Sequence, residues 1–395
     1  MGSLVSWLDV SVDEQRRMRE LAALFTLRDS RDELGIGLLR DSIGDALFPG
    51  TSTLHTRARY LLFVPWCFQH AARARPDQRQ RRLDEVERSI ISPLRSSTDP
   101  AGLLGERAGV ALKNLPSSVY WSMLQRYGIL SRPATRAEAL SESTPSRKTD
   151  DDGQTTVSTI WSAPPMPEGF PSEIADGFAL THDEAGWLRD RILEHAHGSL
   201  LAHLVQHRPD AASTAPWTDA ATVASPDRVA RMLQQAEDFS AVMHGAQLLY
   251  NLLLATDAHR LEVGDESAVS HYRDRLDVWA GELTSRAREW RLADLLDVLR
   301  GEHGSAPALA PSTRDFIVRW SAIVRDGDPR TLVDDDDARS LVRQRERIAK
   351  GSKARLNNSR RLAAWGGASG SARLTFRWAT VRGILDDIHE GLQRA

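Results

Sequence analysis

Cysteine is nearly absent: Cys67 is the only one among 395 residues. No intrachain disulfide can form, no cysteine-rich metal site can exist, and such a chain fits a reducing cytoplasm. Long apolar runs are also missing. None approaches the ~20 residues that span a bilayer, so no membrane partner is expected. The opening MGSLVSWLDVSVDEQRRMRE lacks the basic-then-apolar order of a secretory signal. An excess of one charge is missing too: 51 Lys and Arg face 54 Asp and Glu, a net charge of −3. Any polyanionic partner must therefore be met by a local cluster. With 41% hydrophobic and 27% charged residues, the remaining balance is that of a soluble globular protein large enough for two or three domains.

Strand signals are scarce and helix signals are many, so the expected fold class is all-α. Ser11-Val-Asp-Glu14 and Thr181-His-Asp-Glu184 are capping boxes, each followed by apolar residues at helical spacing. Ser225-Pro226 opens a segment running to about Thr256, with Val229, Met232, Leu233, Ala236, Phe239 and Val242 on one face. Ser312 with Asp315 starts a helix carrying Phe316, Ile317, Trp320 and Ile323. RYLLFVPW is apolar enough for a strand, but polar residues stay in register through Gln69 and His70, which predicts a buried helix bent at Pro65. SARLTFRW alternates and is expected to form a small hairpin arm near the C-terminus. The 11 tryptophans, beside only 5 Tyr and 9 Phe, fall mostly on apolar helix faces and read as core.

One stretch breaks the pattern. Residues 131–156, SRPATRAEALSESTPSRKTDDDGQTT, are rich in Ser, Thr, Pro and charge with almost nothing to bury, and SAPPMPEGFP follows as an extended connector. The expected organisation is an N-terminal helical domain over 1–130, a flexible linker over 131–169, and a C-terminal helical domain over 170–395.

Segments spread over nearly the whole chain resemble an uncharacterised bacterial family defined only as a domain of unknown function. They are SWLD (6–9), RDELGIG (31–37), LFPGTST (47–53), TRARY (56–60), LPSSVYW (115–121), HGAQLLYN (244–251), WGGASG (365–370) and the final FRW. The resemblance implies a component of multi-gene anti-phage clusters, beside helicase-like genes. It carries no catalytic residues to transfer.

The strongest chemical signal is basic. Ala338 to Arg361 holds Arg339, Arg343, Arg345, Arg347, Lys350, Lys353, Arg355, Arg360 and Arg361 against Glu346 alone; Arg373, Arg377 and Arg382 follow. Such a run is the usual electrostatic footprint of nucleic-acid binding, because guanidinium pairs bidentately with phosphate. Its plain alternative is a solvated helix, since Asp334 to Asp337 precede it in the order the helix dipole favours. The expected phosphate contacts are Arg343, Arg347, Lys350, Lys353, Arg355, Arg360, Arg361, Arg373 and Arg377.

Weaker motifs each meet a structural alternative. LFPGTSTLHTRARY predicts a helix ended at Pro49-Gly50 and a second one starting near Thr53, capped by Thr51, Ser52 or Thr53. The other reading of this stretch is an anion pocket of Ser52, Thr53 and Arg57 at that helix start. WGGASGS lacks the Gly-Lys-Ser/Thr ending of a phosphate loop and reads as a flexible turn. His203 and His207, with His195 and His197 nearby, are spaced for a shared metal but lack the glutamate of a metalloprotease, and no metal or cofactor is expected. Asp32, Glu33 and Asp41 could hold magnesium for phosphodiester chemistry, or join Arg31 and Arg40 in an ion-pair network. No catalytic signature is complete. The expectation is a non-enzymatic cytoplasmic subunit that binds nucleic acid, DNA first, and a helicase- or nuclease-type partner. The alternatives are a protein-interaction adaptor and an unrecognised metal-dependent phosphodiesterase.

Overall fold

The computed structural model describes residues 33–144, 146–149, 155–356 and 358–394. Its helices are α1 (Gly37–Leu47), α2 (Tyr60–Ala71), α3 (Arg79–Ser89), α4 (Ile91–Arg95), α5 (Pro116–Arg126) and α6 (Arg136–Ser141). A hairpin of β1 (Ser146–Thr149) and β2 (Thr155–Ser158) comes next, antiparallel with Ser146 opposite Ser158. The chain continues through α7 (His182–His195), α8 (Leu200–Leu204), α9 (Asp227–Arg260), α10 (Glu266–Glu282), α11 (Ser285–Arg288), α12 (Leu292–His303), α13 (Pro311–Asp326), α14 (Asp336–Lys350), α15 (Ser359–Ala363) and α16 (Trp378–Leu392). The protein is all-α, as its helix caps and apolar spacing predict.

Two compact units emerge, each assembled from separated stretches of chain: Met1–Ser42 with Gln235–Leu374, and Ile43–Gln234 with Thr375–Ala395. The expected boundary at 131–169 therefore falls inside the second unit. Composition finds a polar stretch, but it cannot say that a helix from the far C-terminus returns to the same core. Part of that stretch is ordinary structure. Thr135 and Glu138 form a capping box on α6, and Ser131 N and Oγ both donate to the Ile160 carbonyl at 2.9 Å.

The second unit is built around α2. Tyr60 to Phe68 are all buried, and a helix apolar on every side belongs at the centre of a core. It carries Pro65 within it, as the sequence predicts. The Trp66 indole N–H donates to the Pro164 carbonyl at 2.9 Å. Helix α16 packs along α7, with the C-terminal Gly391 against Leu180 and Ala185. The Thr181–Glu184 capping box is present as expected.

In the first unit three tryptophans converge on one stretch of α9. Trp290, Trp279 and Trp320 donate their indole N–H groups to Gln235 Oε1, the Ala241 carbonyl and the Val242 carbonyl, at 2.8–2.9 Å. Burying an indole without a partner is costly, so these bonds explain why a core can hold so many. Gly245 lets Trp279 approach: a Cβ there would lie 2.3 Å from its ring.

Two local expectations differ from the structure. Helix α13 starts at Pro311 with no side-chain cap, so Ser312 does not cap it. SARLTFRW forms no strand. The Ser371 carbonyl accepts from Arg275 and the Leu374 carbonyl from Ser240, while Phe376 and Arg377 take positive φ before α16 begins. Side chains, rather than a neighbouring strand, take up its backbone. The Ser11 capping box lies outside the described residues.

Candidate nucleic-acid interface

The basic segment separates into paired and open cations. Helix α14 buries Ala338, Leu341, Val342, Arg345 and Glu346 on one side, which sets Arg347 on the opposite side at 3.6 residues per turn. Arg343 makes a two-point pair with buried Asp257, at 2.8 and 3.1 Å. Arg345 is itself buried; it donates to the Leu34 carbonyl at 2.7 Å and to Thr313 Oγ1 at 2.8 Å. Lys350 and Arg355 both reach the Glu33 carboxylate, Arg355 at 2.7 Å. Arg377, in the second unit, bonds Asp45 and the Thr51 carbonyl at 2.7 and 2.6 Å. Arg343, Lys350, Arg355 and Arg377, expected from the sequence as phosphate contacts, therefore serve internal pairing in the fold. Arg347, Lys353, Arg360 and Arg361 are exposed and make no ion pair or side-chain hydrogen bond with any described residue. Arg373 is exposed as well.

The paired cations Lys350 and Arg355 belong to a buried polar knot. Glu346 is fully buried; its carboxylate accepts from the Arg355 and Leu356 amides at 2.8 and 3.0 Å, and lies 2.6 Å from the Tyr250 hydroxyl. The same hydroxyl is 3.2 Å from Glu33 and accepts from Lys350 at 3.1 Å. Burial, then the Glu346 charge, push the Tyr250 phenol far up, so it stays protonated as a donor. Two carboxylates, two cations and one hydroxyl satisfy one another, which is how buried charge is tolerated. Glu33 is thus committed to Lys350 and Arg355, and Asp41 pairs with Arg40 at 3.1 Å. Asp32 lies outside the described residues.

Tyr250 belongs to HGAQLLYN on α9, whose polar residues do related work. Asn251 holds the glycine-rich turn from both sides, donating to the Ser369 carbonyl and accepting from its amide, each at 2.8 Å. Tyr272 and Arg275 of α10 donate to the carbonyls of Gly367 and Ser371, both at 2.7 Å. A groove of about 210 Å³ opens between α9 and α10, with His244 on one wall and His271, Asp274, Arg275, Trp279 and Glu282 of α10 on the other. Burial, then the charges of Arg275 and Arg373, depress the His244 imidazole to about 4, so it is neutral at physiological pH. Its Nδ1 is buried with no hydrogen-bond partner among the described residues. This groove is absent from the sequence-based expectations. The available signal was His244, Gln247 and Asn251 at i, i+3 and i+7, a polar stripe on the mostly apolar stretch 241–255 of that helix.

The second expected anion site dissolves. Helix α2 begins at Tyr60, not near Thr53, and residues 51–59 turn irregularly ahead of it. Thr51 Oγ1 donates to the Phe48 carbonyl at 2.7 Å, and Ser52 Oγ accepts from the Leu54 amide at 3.2 Å. Thr53 caps no helix. Arg57 is held by Asp387 and Asp99, with Nη1 2.7 Å from the latter, so its charge is already matched. The Asp387 carboxylate also accepts from the Ala58 amide at 2.8 Å, taking the place of a local cap.

The histidine group is bonded to backbone. His203 Nε2 meets the Ala221 carbonyl at 2.9 Å, His207 Nδ1 meets the His203 carbonyl at 2.9 Å, and the two rings stack 4.2 Å apart. His195 lies 3.8 Å from Glu194, and His197 is exposed. No group of three or more potential metal ligands gathers among the described residues. Nor is any described helix long and apolar enough to cross a membrane.

These features define an all-α protein of two compact units, with a buried ionic knot and several exposed cations in its C-terminal basic segment. The chain belongs to DUF6361, a family of unknown function whose model matches residues 2–391. No curated protein and no solved structure matches it.

Proposed function

We propose that this protein binds the sugar–phosphate backbone of nucleic acid, DNA first, through Arg347, Lys353, Arg360 and Arg361, with Arg373 beside them in sequence. It acts as a non-enzymatic subunit alongside a helicase- or nuclease-type partner, in a setting such as anti-phage defence. One observation carries the reading: these four cations are exposed with no counter-ion among the described residues, while Arg343, Arg345, Lys350 and Arg355 of the same run are consumed by the fold. Folding explains the second group and leaves the first group unexplained. Phosphate contacts of this kind give affinity with little sequence preference.

Fluorescence anisotropy with labelled duplexes of unrelated sequence tests the reading. Comparable affinities are expected, with loss of binding when Arg347, Lys353, Arg360 and Arg361 are all changed to glutamine. An adaptor that meets an acidic protein face is the second reading, favoured by Ile348, which is 52% exposed beside Arg347. It requires no DNA binding by the wild-type chain.

A further inference from the structure

The groove between α9 and α10 has no part in the contact just proposed, and its chemistry differs from that of the basic surface. At about 210 Å³ it is too small for a whole nucleotide and suits one or two fused rings. Its lining mixes hydrogen-bond types. Asp274 and Glu282 accept, Arg275 and His271 donate, and Trp279 with Val278 supplies apolar wall. His244 completes the lining, and its buried Nδ1 has no hydrogen-bond partner among the described residues.

Arg275 joins this groove to the glycine-rich turn by bonding the Ser371 carbonyl. The turn is polarised. Its carbonyls at Gly367, Ser369 and Ser371 are taken by Tyr272, Asn251 and Arg275. The amides of Gly366, Gly367, Ala368 and Gly370, all exposed residues, donate to no described residue. Backbone N–H groups left without a partner among the described residues in an exposed turn suit an anion. At Gly366 a built Cβ would meet nothing within 4 Å, so the space in front of the turn is open there.

We infer that the groove and the turn together seat one unpaired nucleotide, its base among His244, Asp274 and Glu282 and its phosphate on the amides of Gly366 to Gly370. This rests on the nucleic-acid reading above and adds to its backbone contacts a separate seat for an unpaired base. A paired base has its hydrogen-bonding edge occupied and cannot enter a pocket of this kind.

The test uses the full chain, the four nucleoside monophosphates, their nucleosides and inorganic phosphate, followed by calorimetry. At least one monophosphate is expected to bind the wild-type protein. Val278→Trp fills the groove from a position that is 59% exposed, and should weaken that binding about tenfold or more while thermal stability is kept. Gly366→Val should weaken the monophosphate by a similar factor and leave its nucleoside unchanged. Absence of binding by every monophosphate overturns the inference, as does wild-type affinity in Val278→Trp. Binding of inorganic phosphate as tightly as any monophosphate overturns it too, by leaving the groove no role. These titrations contain no polymer. A chain that binds a monophosphate in this way but no DNA therefore refutes only the backbone contact proposed above.

Discussion

Arg57 and Asp387, 330 positions apart in the chain, form a two-point ion pair: Arg57 Nε lies 3.0 Å from Oδ1 and Nη2 lies 2.9 Å from the same oxygen. The pair ties the irregular turn before α2 to α16 within the second unit. Both side chains are largely buried, so removing one leaves the other without compensation. Arg57→Ala is expected to destabilise the protein by about 3 kcal/mol in urea unfolding. Its DNA affinity per folded molecule should stay at the wild-type value. Unaltered stability with weakened binding would reinstate Arg57 as an anion contact.

Neighbouring residues of α14 should behave oppositely. Glu346→Ala removes the acceptor for Tyr250 and for two backbone amides, and leaves Lys350 short of a counter-charge. A loss of about 3 kcal/mol or more is expected. Arg347→Gln, one position on, should change stability by no more than about 0.5 kcal/mol. Thermal or urea unfolding of the two single variants checks both.

Acid should act through His55 with a defined sign. Burial, the largest cause, lowers its imidazole to about 4, and its ring bonds the Val119 carbonyl and the Ser52 amide. The unfolded chain, with a pKa near 6.5, binds more protons than the folded one between about pH 4 and 6.5. Stability from this group is therefore complete above about 6.5 and falls as pH drops toward 4. Asp387 works the other way. Burial raises it to about 6 from an ordinary 3.8, so the folded state binds more protons in that window and its contribution declines as pH rises. The stability difference between wild type and His55→Asn should shrink as pH falls from 7 to 4. The difference between wild type and Asp387→Asn should grow over the same fall.

Asn251 predicts a dynamic effect. It alone bonds both the amide and the carbonyl of Ser369. Asn251→Ala should raise amide hydrogen exchange across residues 366–371 and leave the buried stretch of α2 protected. Unchanged exchange in that turn would mean that Tyr272 and Arg275 suffice to hold it.

Local signals carried the fold far. The capping box at Thr181, the buried helix through Pro65 and the tryptophans as core each depend on residues within a turn or two, and a sequence displays those directly. The site was less legible because its logic is long-range. Charge counting sees nine cations between Ala338 and Arg361 but not that Asp257 lies against Arg343 or that Glu33 lies against Lys350, 86 and 317 positions away. The same limit hid the link between Arg57 and Asp387 and made the hydroxyls of Thr51 and Ser52 look like helix caps. It also hid the two-unit division, in which both units combine N-terminal and C-terminal stretches.

The central claim is that Arg347, Lys353, Arg360 and Arg361 meet phosphates while their paired neighbours do not. The most direct measurement is duplex-DNA affinity as a function of salt, for wild type and for the four-fold glutamine variant. If each of the four neutralises one phosphate, log affinity should fall against log salt with a slope steeper in the wild type by roughly 3.6. The variant should keep the wild-type unfolding midpoint. Equal slopes in the two proteins, or a wild-type chain with no measurable affinity at low salt, would contradict the account.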